Sequence, residues 1–194
     1  MCDLSAFSSS SLDAVVCCYG LMFASDQPRA LGEAFRVLRP GGTLITTYWV
    51  RLRMLGVAKV VMNGVFDGHP PPLPPQNPIN LAPPGVFNAL ATGAGFTLVQ
   101  SSEGPGEGYP MDLGEDEDDQ LKLATFASRA LIEEHDPAPH PKSTAAFEVA
   151  RREFFRPPGE GDVPPGSMRG ATFVHGNRFA LAVLRKPAGG IMGV

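Results

Sequence analysis

Cysteine, positive charge and long apolar runs are all scarce in this chain of 194 residues. The three cysteines, Cys2, Cys17 and Cys18, form neither a disulfide framework nor a zinc-binding spacing. Cys17 and Cys18 sit inside an apolar run, which reads as two buried free thiols and suits a reducing compartment. Lys and Arg number 16 against 20 acidic residues and are scattered, so there is no basic patch for nucleic acid. No uninterrupted apolar stretch reaches the roughly 18 residues of a membrane span. The N-terminus lacks the basic, apolar and small-residue succession of a signal peptide. The expectation is a soluble protein of the cytoplasm or another reducing intracellular compartment, with no nucleic-acid partner. His69, His135, His140 and His175 have no metal-ligand spacing and read as surface histidines. No internal repeat is visible.

What the chain has in quantity is glycine, 22 residues, and proline, 20, together roughly a fifth of it. Eight of the prolines fall between His69 and Pro84, which excludes regular hydrogen-bonded structure there. Pro70-Pro-Pro-Leu-Pro-Pro75 fits either a polyproline II ligand for an aromatic-lined module or a loop over a substrate mouth.

Ordered elements are legible on both sides of this region. Leu12 to Tyr19 is nearly all apolar, the pattern of a strand buried on both faces. A helix follows, with Ser25 or Asp26 as its cap and Pro28 in its first turn. Leu31, Ala34, Phe35 and Leu38 form its buried stripe, and Arg29 with Glu33 makes an i, i+4 pair on the outside. Pro40 disfavours helical geometry at Arg39, Gly41-Gly42 supplies a turn, and Thr43 to Trp49 reads as a second strand. Strand, helix and strand in about forty residues make a βαβ unit.

Beyond it, Arg51 to Phe66 and Gly85 to Ala91 read as helices and Phe96 to Ser101 as a strand. Gly104 to Gly114 is turn-rich, and the acidic run Glu115 to Asp119 suits a helix start. Helices are expected from Asp118 to about Glu134 and from Ser143 to about Phe155, then a loop from Pro157 to Gly170. Ala171 to Val174 and Arg178 to Leu184 look like the last strand, with a turn at His175-Gly-Asn177.

Asp13-Ala-Val-Val-Cys-Cys-Tyr-Gly-Leu-Met-Phe23, followed by Glu33-Ala-Phe-Arg-Val-Leu-Arg-Pro-Gly-Gly42, resembles the fourth and fifth strands of class I S-adenosylmethionine-dependent methyltransferases, of the kind found in ubiquinone and menaquinone biosynthesis. Ala94-Gly-Phe-Thr-Leu-Val99 is similar to the family's sixth strand and its junction, and Phe179 to Pro187 to its final strand. The resemblance implies a three-layer α/β fold, a partial Rossmann-like sheet whose last strand is antiparallel. Residues 1–187 would be the C-terminal part of one domain, with a proline-rich loop at about 69–84, a helical insertion at about 115–156 and a flexible tail at 188–194.

The family's Gly-x-Gly-x-Gly turn and the acidic residue that holds the ribose hydroxyls have no counterpart here. Only glycine lets a turn pack so closely on a ligand. Gly104-Pro-Gly-Glu-Gly108 follows the sixth strand rather than the first and reads as a turn. The resemblance implies S-adenosylmethionine as cofactor and a small-molecule methyl acceptor, with a partner chain or a missing N-terminal half completing the site. Two functions stay open, a fragment of a longer or split enzyme and a catalytically inactive remnant that binds a partner. In the family's strand order Asp13 to Tyr19 would then be an open apolar edge.

Three residues are the candidate cofactor contacts. Asp3 aligns with the family's adenine-binding Asp, against the alternative of a solvent-exposed terminal residue. Cys18 and Tyr19 lie where the first strand ends, the ligand side of an open α/β sheet, against the alternative that they and Leu21 are core. Tyr19 is the one expected to reach the pocket. No catalytic residue is assigned, since methyl transfer mainly needs its two reactants held in line.

Overall fold

The computed structural model describes residues 3–71, 78–103, 109–112, 116–125, 128–156 and 173–188. In chain order the elements are β1 (Leu12–Cys18), α1 (Gln27–Val37), β2 (Leu38–Arg51), α2 (Met54–Val65), α3 (Val86–Gly93), β3 (Thr97–Glu103), β4 (Tyr109–Asp112), α4 (Glu117–Thr125), α5 (Arg129–His135), α6 (Pro141–Phe154), β5 (Phe155–Arg156) and β6 (Phe173–Arg185). They fall into two compact units. One is Met1–Arg51 with Gln76–Gly104 and Arg178–Val194, and the other is Leu52–Pro75 with Pro105–Asn177. None of the helices is long and apolar enough to cross a membrane, among the described residues.

The first unit is a mixed, open sheet in the order β1-β2-β6-β3. β1 and β2 are parallel, pairing Ala14 with Thr43 through Cys18 with Thr47. β6 runs antiparallel to both β2 and β3. The expected α/β sheet with an antiparallel last strand is therefore present.

Its burial follows the two-residue period of strands. Leu44, Thr46 and Tyr48 of β2 are buried, as are Ala180, Ala182 and Leu184, their register partners on β6. This face carries α1 and α3, through Ala30, Leu31, Ala34, Phe87 and Ala91. On the opposite face Ile45, Trp49, Phe179, Leu181 and Val183 are only half-buried.

The helix α1 forms as its sequence predicts. Asp26 accepts the Arg29 N–H at 2.9 Å, Pro28 occupies the first turn, and the chain turns extended at Leu38. The predicted Arg29–Glu33 pair is not the one made. Glu33 bonds Arg36 at 2.8 Å instead, an i, i+3 contact. β2 also starts earlier than Thr43, because Arg39 and Pro40 are already extended. Gly41 has φ of 81°, and a Cβ on Gly42 would lie 2.8 Å from the Arg39 carbonyl oxygen and 3.2 Å from that of Asp13. Each glycine of Arg-Pro-Gly-Gly thus has its own steric reason. Past β6, the Lys186 Nζ donates to the Phe35 and Leu38 carbonyls at 2.8 and 2.7 Å and lies over the Phe35 ring. It satisfies the exposed end of α1 where a cation is favoured.

The reading of β1 as buried on both faces, with Cys17 and Cys18 as buried thiols, is corrected. β1 ends the sheet, pairing only with β2 among the described residues. Val16 is 63% exposed, Ala14 and Cys18 are exposed, and Cys17 is half-buried. A near-continuous apolar run is the pattern of a doubly covered strand, and among the described residues no strand lies beyond it. The open apolar edge expected from the family's strand order is what the fold displays.

The second unit packs α2 against α4, α5 and α6 around Met54, Val57, Val61, Ile132 and Phe147. A Cβ on Gly64 would sit 2.4 Å from that of Ala146, so α2 and α6 approach closely. The single helix expected from Asp118 to Glu134 is two, α4 and α5, and α4 opens with Asp116 accepting the Asp119 N–H at 2.9 Å. β4 occupies residues that read as turn, pairing with β6 from Tyr109 to Asp112. The turn expected at 175–177 is instead part of continuous β6, with Gly176 at φ of 81°. Residues 72–77, 104–108 and 157–170, where the proline run, the alternating glycines and a loop were read, lie outside the described residues.

Candidate functional site

Ligands of open α/β sheets bind beyond the carboxyl ends of the strands. β1 ends at Cys18, and Tyr19 turns the chain with φ of 50°. Its N–H is shared between the Thr47 carbonyl at 3.2 Å and the Thr47 Oγ1 at 3.1 Å. A left-handed backbone costs a non-glycine residue about 1–2 kcal/mol. The Tyr19 ring offsets part of this by stacking on Trp49, centroids 4.6 Å apart and 23° between planes, with Phe179 edge-on at 5.8 Å. Leu21 and Met22 follow in a short 3-10 turn and are buried. Asn80 Nδ2 holds that turn by donating to the Met22 carbonyl at 3.1 Å.

Asp3 is exposed, in the loop that precedes β1. Its Oδ1 accepts the Ser5 N–H at 2.8 Å, and this bond, ahead of the charges of Arg29 and Arg36, holds its carboxyl below the ordinary range. Glu33, read above as lying on the outside of α1, and Arg36 fix this loop. The Glu33 Oε2 accepts the Leu4 N–H at 3.1 Å. Arg36 donates to the carbonyls of Leu4 and Phe7, both at 3.0 Å, and to the Ser9 Oγ at 3.3 Å. The Arg36 bond and then that of Leu4 lower the Glu33 carboxyl, so the pair is charged at neutral pH. Their spacing advertised only a helix-surface ion pair; nothing in it signalled a loop 29 residues upstream.

Between that loop, β1 and α1 lies a slot of about 320 Å³. Leu4 lines it at one side, Val15 to Cys18 and Leu21 along β1, and Ala30, Leu31 and Ala34 from above. Leu44 and Thr46 lie in its wall, and the Thr46 Oγ1 donates to the Cys17 carbonyl at 3.0 Å. The slot therefore brings together Cys18 and Leu4, the neighbour of Asp3. Tyr19 does not line it, and its ring packs with Trp49 and Phe179 instead.

An apolar slot of this kind suits a flat ring such as the base of a nucleoside. Among the described residues no carboxylate lines the slot to take paired hydroxyls. The lining thus suits a flat apolar base and not a pair of hydroxyls. Across the covered face of the sheet, burial and then the charge of Glu103 push the Tyr48 phenol up, so it stays protonated. Among the described residues no group of acidic, His or Cys side chains could hold a metal ion.

No curated protein sequence matches the chain. Solved structures that are similar include the cyclase SpnF, at 20% identity and a TM-score of 0.47, covering 97% of this chain and 55% of that one. A protein described as a methyltransferase from Bacillus halodurans shows 15% identity and a TM-score of 0.45, covering 93% of this chain and 67% of its own. YcgJ of Bacillus subtilis shows 16% and 0.44, covering 94% and 67%. The chain thus spans between about half and two thirds of the length of these structures. The family model of a methyltransferase domain matches residues 1–46, which hold the Asp3 loop, β1, the turn after it, α1 and the first part of β2. Over those first 46 residues the chain is similar to the methyltransferase-domain family.

Proposed function

We propose that the chain is the acceptor-side part of an enzyme that moves a methyl group from S-adenosylmethionine to a small molecule, the remainder being supplied by further chain or by a partner polypeptide. Residues 1–187 form the C-terminal part of the domain, with residues 115–156 as an insertion, working in a reducing intracellular compartment. Asp3 accepts from the adenine amino group, and Cys18 and Tyr19 border the cofactor. The observation that carries this reading is the family match over residues 1–46, which falls on the elements that build the slot and the turn after β1.

The open edge of β1 favours a second reading, an inactive remnant that uses this edge to bind another protein. Titration calorimetry with S-adenosylmethionine separates the two. On the first reading the chain alone binds weakly or not at all, and micromolar affinity appears when a polypeptide carrying a strand and Gly-x-Gly-x-Gly turn is co-expressed with it. Micromolar binding by the chain alone sinks the half-site argument. Formation of that complex without cofactor binding sinks the enzyme and leaves the remnant.

A further inference from the structure

Half of the large apolar side chains exposed among the described residues, Phe7, Val16 and Phe23, lie on β1 or in the segments that enter and leave it. The backbone of the strand is open there too. The N–H groups of Ser11 and Tyr19 turn inward, to the Val37 and Thr47 carbonyls, so by alternation Leu12, Ala14, Val16 and Cys18 turn theirs outward. None of those four is charged, and among the described residues no strand pairs with that side.

This edge is complementary to itself. Laid antiparallel on a second β1 about a two-fold axis at Val15, Leu12 faces Cys18 and Ala14 faces Val16. Each outward residue then meets another, as the hydrogen-bonded pairs of an antiparallel ladder require, and all seven residues of the strand are paired. A shift of two residues keeps the match but leaves two of the seven unpaired, and a shift of one sets outward groups against inward ones. Asp13, the one charged residue of β1, meets Cys17 of the other copy rather than a second Asp13, and keeps Arg39 as its ion partner at 2.6 Å. Phe7 and Phe23 each lie eight positions from Val15, so the same axis brings Phe7 of one copy to the end of the pair where Phe23 of the other lies. The far edge of the sheet differs. β3 carries Gln100, Ser101, Ser102 and Glu103 in succession, so association closes at two chains instead of growing into a filament. We propose that the open edge of β1 is occupied by β1 of a second copy, in a closed two-fold dimer that runs the two sheets together into one. Val16 and Cys18 also line the slot, so the second copy borders it.

Pairing needs neither cofactor nor turnover, so it stands or falls apart from the methyltransferase reading. The edge holds one strand at a time, and a polypeptide that completed the enzyme there would have to displace the second copy. Sedimentation velocity of the full chain reads the size of the assembly, and mild oxidation of cysteine variants reads the register. A discrete dimer is expected. Asp13→Cys sets a thiol opposite Cys17 of the other copy, and Val15→Cys meets itself on the axis, both at a separation that a disulfide spans. In the parent Cys17 and Cys18 face Asp13 and Leu12 and have no thiol opposite. Each β1 variant should therefore form a reducible covalent dimer at least about tenfold faster than the parent or Ser102→Cys on β3. A monomer, or a series of larger species that grows with concentration, overturns the dimer. Bridging of both β1 variants no faster than of Ser102→Cys overturns the pairing. Should Val15→Cys fail to fold, the exposed Asp13→Cys still decides.

Discussion

Arg36 and Asp136 show how much a single side chain organises in this molecule. Arg36 ties three positions of the loop that carries Asp3 to α1. Arg36→Ala should therefore raise amide hydrogen exchange across residues 4–11 while leaving the interior of α1 protected. Equal protection in the variant would show that the loop holds without it. Asp136 is a buried carboxylate at the start of α6. Pro141 has no N–H to satisfy, and Asp136 accepts those of Lys142 at 3.2 Å and Ser143 at 2.7 Å, with the Ser143 Oγ at 2.6 Å. The first-turn donors of the helix are thus all accounted for. Burial alone would raise this carboxyl, but the Ser143 and Lys142 bonds and the nearby His140 together hold it below the ordinary range. A lowered native value means that its contribution is complete above about pH 4, the unfolded value, and fades as pH falls through the native one. Asp136→Ala should cost about 1–2 kcal/mol in urea unfolding at neutral pH, and the difference from the parent should shrink in acid. None of this was legible beforehand, because the cap lies five residues ahead of Pro141, the first residue of the helix, with two prolines between. Asp26, directly before its helix, was legible.

Among elements, the βαβ unit was the most readable because every signal agreed: cap, apolar stripe, pre-proline stop and β-branched strand. Two packing demands can be tested there and in the second unit. Gly42→Ala pushes a Cβ into the Arg39 carbonyl and should destabilise the first unit by about 1–3 kcal/mol. Thermal melting of the variant checks it, and an unchanged midpoint would mean the backbone yields freely. Gly64→Leu should be at least as costly in the second unit, since Ala146 already stands where its Cβ would be. The helical insertion was less readable because the acidic and apolar residues from Asp118 onward keep a helical period across a break. Periodicity marks which residues face a core and does not register where a helix is interrupted. β4 and the first part of β6 were missed or split for a related reason, since glycines and prolines punctuate them while their pairing partners lie far away in sequence.

For the whole molecule the exposed side of β1 governs behaviour in solution. The N–H of Tyr19 turns to β2, so by alternation the backbone groups of Ala14, Val16 and Cys18 turn outward. This apolar edge has no proline or lysine to discourage pairing. The chain by itself should self-associate, and Val16→Lys should shift it toward monomer in light scattering at little cost in stability, since Val16 is 63% exposed. A monomeric parent at high concentration would contradict this.

The position of Lys186 bears on the order in which the protein can be made. α1 is complete only when a residue about 150 positions later reaches its carbonyls, and Gly41 and Gly42 exchange backbone bonds with that same lysine. β2 likewise waits for residues 178–185 before its second side is paired. Domains often mature from the N-terminus as they leave the ribosome. This sheet instead closes with β6, which comes long after β1 and β2 in the sequence, a high-contact-order topology that folds slowly. Until then a nascent chain carries β2 as well as β1 with an open side, so it is during synthesis that a chaperone or a pairing strand has most to offer.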